Sequence, residues 1–245
     1  GYVSTAMGSF TNASGMYSTA LGLETSAIGY SSTAMGDNTR ANTQLMVALG
    51  RFNDTTKYNG TNSYTQWYDN DPLFVIGKGT ANNARSNAFT VMKNGRVGLQ
   101  SVINPTYALE LPNNSTIGIG QARAYAWATY SDGRAKTERQ PLPYGLYEVM
   151  QLNPQSYFHH CTENKGGVVD IKPDGVMDIG LIAQEVFNVI PEAVTRPANE
   201  KSDLWSLSYD KLVPVLVKAM QEQQQQIEDL RRMVGELQSV IAGNR

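Results

Sequence analysis

Ser131 and Lys136 stand five residues apart in TYSDGRAKTE, residues 128–137. A serine hydroxyl becomes a nucleophile when a neighbouring base takes its proton. Lysine serves as that base only as a neutral amine, a form that burial favours. Ser–Lys pairs are one variant of the Ser–His arrangement for acyl transfer. In extended chain the two residues would lie roughly 17 Å apart. The chemistry therefore requires the chain to fold back between them, and Asp132-Gly133 is turn-forming sequence. By residue type alone, a serine and a lysine at this spacing read as ordinary loop residues.

The two sides of this stretch differ in kind. Before residue 130 the chain is rich in Gly, Ser, Thr and Asn; near its end Gln, Glu and Leu take over. With 245 residues there is room for two or three modules. A net charge of −2 does not favour a nucleic-acid backbone or an anionic membrane surface. A lone Cys161 excludes an internal disulfide framework. No apolar run approaches the length of a transmembrane helix, and no signal peptide is present. The sequence opens inside a repeat at Gly1, as a piece of a longer protein would.

Over residues 1–50, Gly recurs at 1, 8, 15, 22, 29 and 36, Ala at 6, 13, 20, 27, 34, 41 and 48, and Ser or Thr at 4, 11, 18, 25, 32 and 39. A coiled coil of this period needs apolar a and d positions on good helix formers. Glycine in every repeat would instead cost roughly 1 kcal/mol each against alanine. A solenoid fits better: about five extended residues and a turn make seven, two strands make a 14-residue coil, and glycine supplies a positive φ at the turn. The phrases STAMG, STALG and TSAIG resemble the β-roll head of trimeric autotransporter adhesins, YadA-like in type. That resemblance implies a trimeric, left-handed β-roll.

Residues 51–127 read as a β-rich tip and connector. Tyr58, Tyr64, Trp67 and Tyr68 cluster in polar sequence, where such rings stack on sugar faces, anchor a partner or pack between subunits. Tyr64, Trp67 and Tyr68 are candidate receptor-binding residues. PLFVIGKGT reads as a strand, and AFTVMKNGRVGLQ as a hairpin turning at Asn94-Gly95. With ALELPNNSTIGIG, these strands resemble the β-prism and connector segments of phage tail fibres.

Residues 128–245 carry four ordered motifs: SDGRAK at 131–136, LNPQSYF at 152–158, IGLIAQEVFNVIPEAV at 179–194 and LSYDKLVPVLVKAMQE at 207–222. Together they resemble the intramolecular chaperone auto-processing domain of the S74 peptidase family, which ends endosialidases and L-shaped tail fibres. The resemblance implies an α+β domain that chaperones fibre folding and then releases itself. It assigns Ser131 as nucleophile, Lys136 as base and the Tyr130–Ser131 bond as the cleavage site, in a single-turnover serine endopeptidase without cofactor. Val213, Leu216, Met220, Gln223, Ile227, Leu230, Val234, Leu237 and Ile241 follow steps of three and four, a coiled-coil seam within 211–242.

His159, His160 and Cys161 lack zinc spacing, and Asp170, Asp174 and Asp178 lack EF-hand spacing, so no metal site is assigned. The combined expectation is the distal part of a homotrimeric adhesive fibre, extracellular on a virion or bacterial surface. It would meet a glycan or protein receptor, with no nucleic acid and no membrane insertion. The competing readings are a fibre-associated glycan-degrading enzyme and a non-cleaving trimerisation cap.

Overall fold

The computed structural model describes residues 1–56, 63–116, 118–165 and 168–243. Tyr58 lies outside the described residues. The chain forms two compact units: residues 1–123 with 160–175, and residues 124–159 with 176–245.

The first unit begins with a β-solenoid. Strands β1 (Thr5–Ser9), β3 (Thr19–Leu23), β5 (Thr33–Asp37) and β7 (Val47–Arg51) stack in parallel. The two-residue strands β2 (Asn12–Ala13), β4 (Ser26–Ala27) and β6 (Arg40–Ala41) stack beside them as a second sheet. Thr5 pairs with Thr19, Thr19 with Thr33 and Thr33 with Val47, so one coil is two sequence repeats. Each coil thus uses one long and one short strand where the repeat alone suggested two of similar length. Ala20, Ala34 and Ala48 face Ala13, Ala27 and Ala41 in a fully or nearly buried stack. A coil this narrow has no interior room for a larger side chain at every level, and Met46 and Val75 fill its far end.

The repeat glycines Gly8, Gly22 and Gly36 take the expected positive φ, between 121° and 128°, but they are not the turn residues. The left-handed turn residues lie two places after each repeat position and are not glycine: Phe10, Tyr17, Glu24, Asn38 and Leu45 all have φ between 49° and 59°. At Gly8 the requirement is space as well as torsion, because a Cβ there would lie 2.0 Å from the Gly22 carbonyl oxygen of the next coil. The repeat glycine lets neighbouring coils approach closely.

Strand β8 (Pro72–Lys78) continues the long sheet by pairing in parallel with β7. The sheet then turns antiparallel through β9 (Asn87–Met92) and β10 (Val97–Leu99), and β11 (Leu109–Glu110) closes it. The hairpin forms where Asn94-Gly95 stands: Gly95 has φ 85°, and its N–H donates to the Met92 carbonyl.

The second unit has a short helix α1 (Leu146–Val149). Strands β12 (Gln155–Lys165) and β13 (Val168–Gly180) pair with each other, and their residues 160–165 and 168–175 belong to the first unit. Helix α2 (Ala183–Phe187) follows, then the small ladder of β14 (Val194–Thr195) and β15 (Ser206–Leu207). The long helix α3 (Leu212–Gly243) ends the unit. Val186, Ile190, Ala193, Leu212 and Val215 form its core, with Leu142 and Tyr144 packed against them. Pro191 opens the 3-10 turn Pro191–Ala193 that follows α2, a first position where no backbone donor is needed. Pro214 falls in the first turn of α3, where no backbone donor is needed. At about 1.5 Å per residue, 32 residues give a rod of about 48 Å. Its stripe residues Val213, Leu216, Met220, Leu230, Val234, Leu237 and Ile241 are all exposed in the single chain.

Candidate functional site

The turn that the dyad chemistry requires is present. Residues 133–135 form one 3-10 turn, and Asp132 caps it, its Oδ1 accepting the Arg134 N–H at 2.8 Å. The Arg134 guanidinium returns to the same carboxylate at 2.6 Å. Arg134, first through its side chain and then through its backbone N–H, holds the Asp132 carboxyl below the usual range. The chain leaves the turn with Lys136 N–H donating to the Gly133 carbonyl. Lys136 Nζ thereby reaches Ser131 Oγ at 2.7 Å.

That distance is within reach for proton transfer between the two groups. The expected burial is absent, because Tyr130, Ser131 and Lys136 are all exposed. The pair is open to water in the single chain. Downstream, the segment is fastened to α3. Lys218 Nζ donates to the Leu142 carbonyl at 2.5 Å, and Glu222 Oε2 accepts the Leu146 N–H at 2.7 Å. Lys218 and Glu222 are an i,i+4 ion pair on the helix. Their spacing was visible in the sequence, but their reach back to residues 142–146 was not.

The aromatic candidates separate. Trp67 Nε1 donates to Asp69 Oδ1 at 2.9 Å, and one ring face covers Lys93 Nζ at 4.8 Å. Beneath it, Lys93 and Asp71 form a fully buried ion pair at 3.6 Å. Burial pulls the Lys93 ammonium below the usual lysine range, against the opposing pull of Asp71. Tyr68 donates its hydroxyl to Gln66 Oε1. Tyr64 instead joins the solenoid, its carbonyl accepting the Tyr30 N–H at 2.7 Å. Nothing in the sequence pointed to Lys93 as the group under Trp67.

His159, His160 and Cys161 reach different partners: Asp178, the Lys172 carbonyl and Ser115 respectively. Among the described residues, no group of three or more His, Cys, Asp or Glu is arranged to hold a metal. Among those residues, no helix is long and apolar enough to cross a membrane.

Family comparison matches both halves of the chain. Residues 131–195 match the chaperone of endosialidase family. Residues 3–25 and 27–44 match two copies of the YadA head domain repeat. The chain is also 32% identical over 104 residues to the Long tail fiber protein Gp37 of Enterobacteria phage M1, and equally to that of Enterobacteria phage Ox2. The aligned stretch is 41% of this chain and spans 38% of each relative. No solved structure matches the chain. The chaperone match begins at Ser131, the residue that Lys136 contacts.

Proposed function

We propose that this chain is the distal part of a homotrimeric adhesive fibre whose C-terminal module, residues 128–245, chaperones assembly and then cuts itself away between Tyr130 and Ser131. The observation that carries the reading is the 2.7 Å contact of Lys136 Nζ with Ser131 Oγ, at the first residue of the chaperone match. Ser131 Oγ attacks the carbonyl carbon of Tyr130 as Lys136 takes its proton; the Tyr130–Ser131 C–N bond breaks, the Ser131 amine leaves with that proton, and water hydrolyses the resulting ester to free the Tyr130 carboxylate and the Ser131 hydroxyl. The exposed stripe of α3 and the exposed dyad answer the same need. Three helices burying their stripes bring three chains into register, and the neighbouring subunits supply the cover that the exposed pair lacks.

The YadA head repeats form the shaft, and the fibre stands outside the cell, on a virion or a bacterial surface. A solenoid coil of alanines encloses little apolar volume, so its stability depends on stacking and on neighbours. A trimerising helix raises the local concentration of the three shafts. Cleavage then removes the template and leaves a kinetically trapped fibre.

Intact-mass measurement of purified wild type and Ser131→Ala tests the reading. The wild type should yield a fragment ending at Tyr130 and one beginning at Ser131, and the variant should remain whole. A wild type that stays whole as a trimer would leave the module a non-cleaving cap.

A further inference from the structure

Four cationic side chains gather where the solenoid meets strand β8. Arg51 ends β7 and Lys78 ends β8, and the two stand side by side in the parallel register. Arg51 and Arg85 each place their guanidinium carbon 5.5 Å from the centre of the Phe52 ring. Backbone hydrogen bonds tie these segments together: Lys78 N–H donates to the Ser86 carbonyl at 2.9 Å, and Ser86 N–H to that of Phe52 at 3.1 Å. Arg40 on β6 completes the group. After burial, it is the main influence that disfavours the charge on Arg85, with Asp54 opposing it.

The four charges are held together without being neutralised. Among the described residues, none of them has a carboxylate partner. The carboxylates beside them are turned to other uses. Asp37, in register with Arg51 on β5, accepts from Asn38 Nδ2 at 3.0 Å, and Asp54 accepts the Thr56 N–H at 2.6 Å. Arg85 is fixed by neutral groups alone. It donates to the Asn38 and Asn53 carbonyls at 2.9 and 3.1 Å and to Asn82 Oδ1 at 2.6 Å. Arg40, Arg51 and Lys78 are exposed. Like charges repel, so such a cluster is a strain on the fold that an anion would relieve.

We infer that the cluster of Arg40, Arg51, Lys78 and Arg85 is a binding site for an acidic polysaccharide, whose carboxylates or sulfates pair with the guanidinium and ammonium groups. The charge chooses the occupant: the whole chain carries a net −2, so the positive excess is local to this place. Its cations are spread over β6, β7, β8 and the loop that holds Arg85. That spread suits single charges spaced along a chain better than one compact anion. Guanidinium forks match carboxylate and sulfate oxygens in pairs. At the rim, Asn82 and Gln100 hydrogen-bond Arg85 and Lys78 at 2.6 and 2.5 Å, and such neutral amides also suit sugar hydroxyls. The site is separate from Trp67 and Tyr68, whose polar groups are engaged by Asp69 and Gln66. It deepens the adhesive-fibre reading and rests on it for its setting outside the cell.

The test is an array of uronic-acid, sialylated and sulfated oligosaccharides beside neutral ones, probed with the purified full chain. The wild type should bind acidic glycans and not neutral ones, and binding should weaken as sodium chloride is raised. Arg51→Gln with Lys78→Gln should lose tenfold or more. Its melting temperature should hold or rise, because the repulsion is gone, a response that a merely structural pair of residues would not give. Should the double variant fail to fold, Arg40→Gln alone decides, since that side chain is exposed and its loss should weaken binding severalfold. Neutral glycans bound as well as acidic ones, binding undiminished in the variants, or no binding by the wild type would overturn the inference. So would duplex DNA bound as tightly as the acidic glycans, which would reduce the cluster to unspecific charge. Loss of particle mass in the double variant would assign the cluster to packing between copies instead. Intact mass and light scattering of the same wild-type sample keep the two readings apart: a chain that cleaves and trimerises but binds no acidic glycan sinks the site and leaves the fibre reading standing.

Discussion

The side-chain amide of Asn53 pairs with both backbone groups of Arg40: the Arg40 N–H donates to Oδ1 at 2.7 Å, and Nδ2 donates to the Arg40 carbonyl at 3.0 Å. Asn53 is fully buried. It takes the place that a next short strand would occupy beside β6, so one asparagine ends the smaller sheet of the solenoid. Removing it leaves a donor and an acceptor without partners, at about 1–3 kcal/mol for each buried group. Asn53→Ala should lower the melting temperature of the first unit by several degrees. Asn53→Asp, which keeps the acceptor and loses the donor, should still melt below wild type. Differential scanning calorimetry reads both, and unchanged melting in the alanine variant would show that the pairing is not a terminator.

Trp67 is predicted to be a lid. Its face covers a buried ammonium, a contact worth about 2 kcal/mol when desolvated. Trp67→Ala should therefore destabilise the first unit, and Trp67→Phe should retain part of the loss. The alternative from sequence, a free receptor-binding ring, predicts lost binding with unchanged melting.

The same pair makes stability depend on pH. Burial lowers the Lys93 pKa in the folded chain, so the unfolded chain binds the proton more tightly. The cost of holding the charged form is present below the folded pKa and is relieved as pH rises towards 10.5, the ordinary lysine value. Wild-type unfolding free energy, measured in urea, should rise over that approach. Lys93→Met lacks the titrating group and should not show the rise, although it is less stable throughout because Asp71 is left buried. Parallel slopes for the two proteins would remove Lys93 as the cause.

How legible these features were follows from their range. The solenoid was readable because a coil of 14 residues repeats the same few side chains at the same depth, so Ala20, Ala34 and Ala48 advertise the interior. The hairpin at Asn94-Gly95 was readable because a turn is local. The position of the left-handed residue was not: glycine marks the close approach of coils, and Phe10 or Tyr17 gives no sign of φ above zero. Asn53 and Lys93 were silent for another reason. Each acts on residues 13 or more positions away, and neither type nor spacing encodes such a partner. At the dyad, Asp132-Gly133 disclosed the turn but not the exposure of Lys136, which depends on what covers the chain.

The stripe of α3 should hold three chains together. Ile227→Asp or Leu230→Asp would place like charges in one apolar layer, and such a layer cannot hydrate them. Light scattering should give three chains per particle for wild type and loss of the trimer in either variant. A stable folded wild-type monomer would end the trimer reading.

The proposed self-cleavage is predicted to depend on the dyad and on what covers it. Ser131→Ala removes the nucleophile, and Lys136→Ala the base, so both should stay at full length by intact mass. Lys136→Arg should also fail, because a guanidinium stays protonated and cannot accept the serine proton. Asp132→Ala leaves both reacting groups in place but removes the cap and the Arg134 contact that shape the turn. It should slow cleavage severalfold, with Asp132→Asn retaining more activity because its side-chain oxygen can still accept the Arg134 N–H. All five dyad and cap variants should assemble as wild type, since the α3 stripe is untouched. Leu230→Asp should show the converse. Its Ser131 and Lys136 are intact, yet the pair stays open to water as it is in the single chain, and cleavage should be slow in proportion to the lost trimer. Time courses at two protein concentrations separate the causes: assembled wild type should cleave with the same first-order rate at both, whereas a protein that must assemble first should cleave faster when concentrated. Cleavage of Ser131→Ala at the wild-type rate would show that the bond is cut by some other agent and that the contact between Lys136 and Ser131 is only a turn.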